Sequence, residues 1–293
     1  MPLNSRTEKA GTLFVLATPI GHMEDVTLRA IRTLREVALV AAEDTRHTRK
    51  LFARHDISTS LISYHDHNKE KRAPELLKKL KSGKSIALVT DAGTPAISDP
   101  GYYLVRAAID ADIDVVPIPG ASAVVAALSI SGLPTDSFVF VGFIPRKSAK
   151  RTRLLEELAR EPRTLIFFES PKRLLGLIKD MAGVMGNRNA VVARELTKIH
   201  EEVLRGSLSD IAADLAGRPS LKGECTLLVQ GCEGAVEVDR NMIIEQVRRS
   251  LQEGHSLSDT VKEVATKYGL SKKLVYEQAL TLKKEERQRS NRS

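Results

Sequence analysis

The chain has 293 residues, 42% of them hydrophobic and 28% charged, with a formal net charge of +8. That balance excludes wholesale disorder and leaves room for two domains of ordinary size, about 100–200 residues each. An isoelectric point near 9.4 favours acidic partners, with nucleic acid ahead of an anionic membrane surface.

No apolar run reaches the ~18 residues that span a bilayer, and the polar start has no signal-peptide core. The expectation is a soluble, cytoplasmic protein with no membrane partner. Cys225 and Cys232 match neither CxxC nor a usual zinc spacing, so they read as buried or free thiols.

The first ten residues, 1–10, read as a loose tail. From Gly11 a unit recurs: a short apolar run, a polar loop, then a segment with helical spacing. The runs are 12–17, 39–42, 61–64, 85–90 and 115–118, and five consecutive strand–helix units predict a largely parallel sheet. Continuous rather than alternating apolar runs fit strands buried on both faces. Gly132-Leu133-Pro134 marks a boundary, giving an N-terminal α/β domain over 11–133. A second α/β domain over 134–234 carries runs at 138–143, 164–168, 190–194, 202–204 and 225–230. The last three are closely spaced, which predicts hairpins and a mixed sheet. Residues 235–293 turn helical and charged. There a helix over 258–268, a Gly269 stop, a Ser271 cap and a helix over 272–280 resemble a helix-turn-helix.

The informative residues fall where the apolar runs of the first domain stop. The loops are Thr18-Pro19-Ile20-Gly21-His22, Glu43-Asp44-Thr45-Arg46-His47, His65-Asp66-His67-Asn68, Asp91-Ala92-Gly93-Thr94-Pro95 and Pro119-Gly120-Ala121-Ser122. Open α/β sheets bind ligands at the carboxyl ends of their strands. The fourth loop has small residues that let a ligand approach the backbone, and amides able to hold a carboxylate; a tight turn with a helix cap is the plainer reading. Neither GxGxxG nor GxxxxGK[ST] occurs. His65-Asp66-His67 could bind a metal, but two histidines are too few for a site and none is expected. Arg146, Lys147, Lys150, Arg151 and Arg153 form a basic run that reads as a contact for RNA phosphates or as a solvated helix start.

Several of these segments stand together in one order: Ala17-Thr18-Pro19-Ile20-Gly21, Ala41-Ala42-Glu43-Asp44-Thr45-Arg46, residues 91–101, Phe168-Glu169-Ser170 and Ala193-Arg194-Glu195-Leu196-Thr197-Lys198. In that order they resemble the tetrapyrrole methylase family, and within it the branch that methylates a cytidine 2′-hydroxyl in small-subunit (16S) ribosomal RNA. The similarity runs from about residue 11 to 231. His22 departs from the asparagine usual in this branch and leaves the glycine turn intact.

The resemblance implies two α/β domains around a cleft for S-adenosyl-L-methionine, a homodimer, and the 30S subunit as partner. It implies cofactor contacts at Ile20, Ala92, Gly93, Thr94, Ile97, Ser122 and Ala123, and at Phe168, Glu169, Leu196 and Thr226. Asp44 and Lys198 are candidates to take the 2′-hydroxyl proton, with Arg46 and Arg194 for RNA phosphate. The plainer reading of Glu43-Asp44-Thr45-Arg46 is a helix cap with a surface ion pair. Two other functions stay open: methylation of a tetrapyrrole macrocycle, and non-catalytic nucleic-acid binding through the helical tail. The second leaves the converging loops unexplained.

Overall fold

The computed structural model describes residues 10–99, 101–218, 220–232, 240–268, 275, 276 and 279. Its strands are β1 (Leu13–Leu16), β2 (Leu39–Ala42), β3 (Leu61–Ser63), β4 (Ile86–Val89), β5 (Val115–Ile118), β6 (Phe138–Phe143), β7 (Thr164–Glu169), β8 (Asn189–Arg194), β9 (Glu202–Ser207) and β10 (Cys225–Val229). The helices are α1 (Leu28–Glu36), α2 (Thr45–Arg54), α3 (Lys69–Lys81), α4 (Gly101–Ile109), α5 (Ala123–Ser131), α6 (Ser148–Leu158), α7 (Pro171–Met185), α8 (Leu208–Ala216), α9 (Arg240–Gln252) and α10 (Leu257–Tyr268).

The first sheet has the order β3-β2-β4-β1-β5, and every pairing in it is parallel. Its continuous apolar runs have a physical cause, because both faces are covered. On one face Ala87 and Val89 of β4 pack with Ala30 and Leu34 of α1 and Leu51 and Phe52 of α2. On the other, Ile86 and Leu88 pack with Leu76 and Leu80 of α3 and Leu104 and Ala108 of α4. The chain therefore leaves β1 and β2 toward one face and β4 toward the other. Their loops diverge at a topological switch point, where doubly wound sheets open a crevice.

Local chemistry starts the helices there. Thr27 Oγ1 accepts from Ala30 N (3.1 Å) at the head of α1, and Asp44 Oδ1 accepts from Arg46 N (2.8 Å) at the head of α2. Gly132, with φ 76°, ends α5 in the left-handed conformation.

The second sheet is mixed, in the order β6-β7-β10-β8-β9. β6 and β7 run parallel, with a bulge between Phe140 and Gly142. β8 and β9 form the expected hairpin, whereas β10 pairs antiparallel with β7 on one side and β8 on the other. Close spacing predicted a hairpin for β10 as well. The chain instead carries it back through α8 into the middle of the sheet, where all five of its residues are buried.

The two sheets share one core. Val124, Ala127 and Leu128 of α5 and Ile20 pack against Ile166, Val191, Ala193 and Leu228 of the second sheet. Both sheets thus fall in one unit, residues 1–152 and 163–230, and a second unit holds residues 153–162 and 231–293. In the second unit Val247, Val261, Val264 and Ala265 form an apolar cluster with Val275 and Ala279. The hydroxyls of Ser250 and Thr260 meet at 3.1 Å. Residues 1–9 of the expected tail over 1–10, the Gly269 stop, the Ser271 cap and most of the helix over 272–280 lie outside the described residues. Among the described residues no helix is long and apolar enough to cross a membrane.

Candidate active site

A cavity of about 390 Å³ opens where the loops after β1, β2, β4 and β5 face the ends of β6, β7 and β10. Thr18 and Gly93 clasp the loops after β1 and β4 through an isolated antiparallel bridge. Gly93 has φ 83°, and Ala96 and Ser98 have φ 69° and 64°. Left-handed backbone is costly for residues with a Cβ, and such positions concentrate in loops that serve a ligand. Across the cleft, Glu195 and Thr197 have φ 51° and 63°. Gly21 is required where these loops meet: a Cβ there would lie 2.5 Å from Lys198 Cγ and 2.6 Å from Thr197 Oγ1.

Ile20, Ala92, Gly93, Thr94, Ile97, Ser122, Ala123, Phe168, Glu169 and Thr226 all line this cavity. Leu196 does not; it is buried in the core shared by the sheets, against Ile20 and Phe168. Phe143 was missed by sequence reasoning. It joins the lining because the bulge at Gly142 re-aims the end of β6, and its ring sits 5.6 Å from that of Phe168. Glu224 also lines the cavity and had no signal in the sequence.

The charge of the lining is one-sided. Among the described residues it holds Glu43, Asp91, Asp99, Glu169 and Glu224 and no cationic side chain. Glu43 Oε2 accepts from Thr90 Oγ1 (2.6 Å) and Asp91 N (3.3 Å). Asp91 Oδ1 accepts from Asp44 N (3.0 Å). Burial raises the Asp91 carboxyl and pushes Asp99 up to about 6. Glu169 is buried, and its Oε1 accepts from Ser170 N (2.6 Å). Its Oε2 lies 3.0 Å from Arg173 Nη2, an ion pair without hydrogen-bond alignment that leaves this oxygen unsatisfied. Cys225 lies in the wall, and burial pushes its thiol up to about 12.

The two expected proton acceptors are otherwise engaged. Both Asp44 oxygens are held by Arg46, with Oδ2 2.7 Å from Nη2, and these bonds lower the carboxyl to about 2. Lys198 Nζ binds Glu195 Oε1 (2.9 Å) and Glu224 Oε2 (3.2 Å). Burial works to lower its pKa, but the two carboxylates outweigh it and raise the ammonium above its ordinary value. A carboxylate held that low and an ammonium held that high are both poor proton acceptors at neutral pH.

The expected phosphate ligands divide as well. Arg194 is committed to Glu202 (2.9 Å) and Lys222 O (3.1 Å), and Arg46 to Asp44. Arg151 pairs with Asp180 (2.6 Å) and Arg153 with Glu157 (3.2 Å), whereas Arg146, Lys147 and Lys150 make no ion pair among the described residues. β3 ends at Ser63, so His65 and His67 lie in the turn beyond the strand and not on it. Asn68 Oδ1 accepts from His65 N (2.9 Å) there, and the two rings meet edge-on at 6.0 Å. No group of three or more metal-ligating side chains occurs among the described residues.

Fold and cavity together define a class: a two-sheet α/β protein with a carboxylate-lined cavity at the switch point of its first sheet. Residues 12–212 match the family Tetrapyrrole (Corrin/Porphyrin) Methylases, and residues 243–283 match the RsmI C-terminal HTH domain. The chain belongs to the tetrapyrrole methylase family. It is 49% identical over 271 residues to Ribosomal RNA small subunit methyltransferase I of Halalkalibacterium halodurans, covering 91% of this chain and 93% of that protein. It is 47% identical to the protein of the same name from Micromonospora olivasterospora, covering 92% and 86%. Its fold matches uroporphyrin-III C-methyltransferase from Thermus thermophilus, complexed with S-adenyl homocysteine. That match has a TM-score of 0.53 and 18% identity, over 74% of this chain and 97% of that one.

Proposed function

We propose that the chain is an S-adenosylmethionine-dependent methyltransferase that acts on 16S ribosomal RNA in the small subunit, at the 2′-hydroxyl of a cytidine ribose. The observation that carries this reading is identity of nearly half, across nine-tenths of the chain, to proteins named for small-subunit rRNA methylation. The net charge of +8 and the cations Arg146, Lys147 and Lys150, which make no ion pair among the described residues, suit a phosphate backbone.

The cavity suits the cofactor. When bound, S-adenosylmethionine supplies a methyl group already activated by a positively charged sulfur. Five carboxylates and, among the described residues, no cation fit a ligand carrying a sulfonium and an ammonium. The unsatisfied Glu169 Oε2 supplies polarity for its remaining groups, and the side-chain-free backbone at Gly93, with its positive φ, lets them come close. On this reading Gly93, Ile97, Ala123, Phe168 and Thr226 enclose the cofactor. Activity of this kind is mostly alignment. A homodimer working in the cytoplasm belongs to the same reading, and the exposed apolar side chains Val125, Ile130 and Ile199 are candidates for its interface; light scattering measures the mass directly.

The test is methyl transfer from labelled cofactor to 30S particles from a strain lacking this protein, followed by nucleoside mapping. Label in 2′-O-methylcytidine is the expected result. Label on uroporphyrinogen instead of RNA would overturn it.

A further inference from the structure

A second cavity, of about 210 Å³, lies against the first and shares Ile20, Thr90, Asp91, Ala92 and Glu224 with it. Its chemistry differs. His47 and Lys50 of α2 and Lys198 line it, together with the thioether of Met23 and the Pro19-Ile20-Gly21 turn. The first cavity thus holds carboxylates and, among the described residues, no cation, whereas its neighbour adds His47, Lys50 and Lys198 to the shared Asp91 and Glu224 around an apolar floor. A sulfonium belongs in the first, and a sugar-phosphate with a planar base belongs in the second.

We propose that this second cavity seats the acceptor nucleotide of the RNA, and that Asp91, on the wall common to both cavities, takes the proton of its 2′-hydroxyl. The inference rests on the rRNA reading above. His47 and Lys50 meet the phosphates beside the target ribose, while Met23 and Ile20 bound the space for the base. Asp91 Oδ1 is fixed by the Asp44 amide, and among the described residues Oδ2 accepts no hydrogen bond. Asp44 thereby positions Asp91 rather than reacting itself. In the transfer, the 2′-oxygen bonds to the methyl carbon as the carbon–sulfur bond breaks, and the electron pair stays on sulfur, which loses its charge. The hydroxyl proton passes to the Asp91 carboxylate, which later returns it to water.

Three variants test this. Met23→Trp fills the second cavity in a chain that has no tryptophan of its own, so its emission also reports folding. Lys50→Ala removes an exposed cation without touching the core. Asp91→Asn removes the base. Calorimetry should find S-adenosylmethionine affinity within about twofold of the unaltered protein for the first two, the first cavity being intact. Binding to 30S particles should fall for both. Asp91→Asn should cut single-turnover transfer by ~10²–10⁴-fold at saturating RNA and cofactor. Folded Met23→Trp and Lys50→Ala proteins with full 30S affinity would overturn the cavity assignment, and an unchanged rate in Asp91→Asn would overturn the proton transfer. Failure of the unaltered protein to label 30S particles would overturn the rRNA reading and this inference with it.

Discussion

Thr18 and Gly93 exchange two backbone hydrogen bonds, Thr18 N to Gly93 O at 2.9 Å and Gly93 N to Thr18 O at 3.0 Å. Thr18 Oγ1 adds a third bond, to Thr90 O at 3.1 Å. Two loops that leave the sheet toward opposite faces are thereby fastened at their base, so the ligand meets a wall of fixed shape. The fastening depends on the positive φ of Gly93, and that dependence can be measured.

Gly93→Val should abolish cofactor binding while the protein stays folded. A β-branched residue in the left-handed region costs roughly 1–2 kcal/mol, and its γ-carbons enter the ligand's space. Calorimetry should show at least a tenfold loss of affinity, about 1.4 kcal/mol. Unchanged affinity in a folded variant would remove Gly93 from the cofactor wall.

Asp44→Asn separates capping from charge. Asparagine caps helices as well as aspartate, so α2 should persist while Arg46 loses its ion-pair partner. Single-turnover methylation should fall less than for Asp91→Asn, by under ~10²-fold. Lys198→Met frees Glu195 and Glu224 from their shared ammonium. If that lysine orders the loop rather than moving a proton, its loss should weaken binding without a new inflection in the pH–rate profile. A loss equal to that of Asp91→Asn in either variant would restore that residue as the proton acceptor.

Asp99 gives a pH signature of stability. Burial lifts its pKa from 3.8 to about 6, so folding favours the protonated form. Its contribution is fully present below pH 4 and is lost as the pH rises through 6. Asp99→Asn, neutral throughout, should therefore have a higher Tm than the unaltered protein at pH 8, and the gain should vanish by pH 4. Thermal melts without cofactor across that range check it, and a gain that grows toward acid would reverse the assignment.

The basic run should contribute unequally to RNA binding. Replacing Arg146, Lys147 and Lys150 by Ala should lower the slope of log K against log salt by ~0.7–0.9 for each phosphate that is no longer neutralised. Arg151, held at 2.6 Å by Asp180, and Arg153, paired with Glu157, should add little when replaced as well. Filter binding over a salt series distinguishes the two sets, and equal slopes for all variants would make the run a solvated face.

What was legible in the sequence was whatever local pattern controls. A strand buried on both faces must be apolar throughout, so Ile86-Ala87-Leu88-Val89 announced β4, and the polar residues after each run announced the crevice. Long-range events left no such trace. Leu196 stands inside a cleft motif yet packs into the core, because its neighbours Glu195 and Thr197 turn through left-handed backbone. Phe143 reaches the cavity through a bulge, and Glu224 through the return of the chain to β10. The engagement of Asp44 by Arg46, two residues on, was readable as a cap with an ion pair. Its consequence for proton transfer needed the geometry.

The position of β10 bears on how copies of this protein are made. Among the described residues it is the last strand in chain order, yet it is central in its sheet, between β7 and β8. A nascent chain that has not yet reached Gly223 exposes two unpaired strand edges and lacks the Gly223–Thr226 side of the cavity. Such a chain is prone to aggregation and has an incomplete cavity. The cavity is therefore left unfinished until the chain has supplied its last strand to the second sheet.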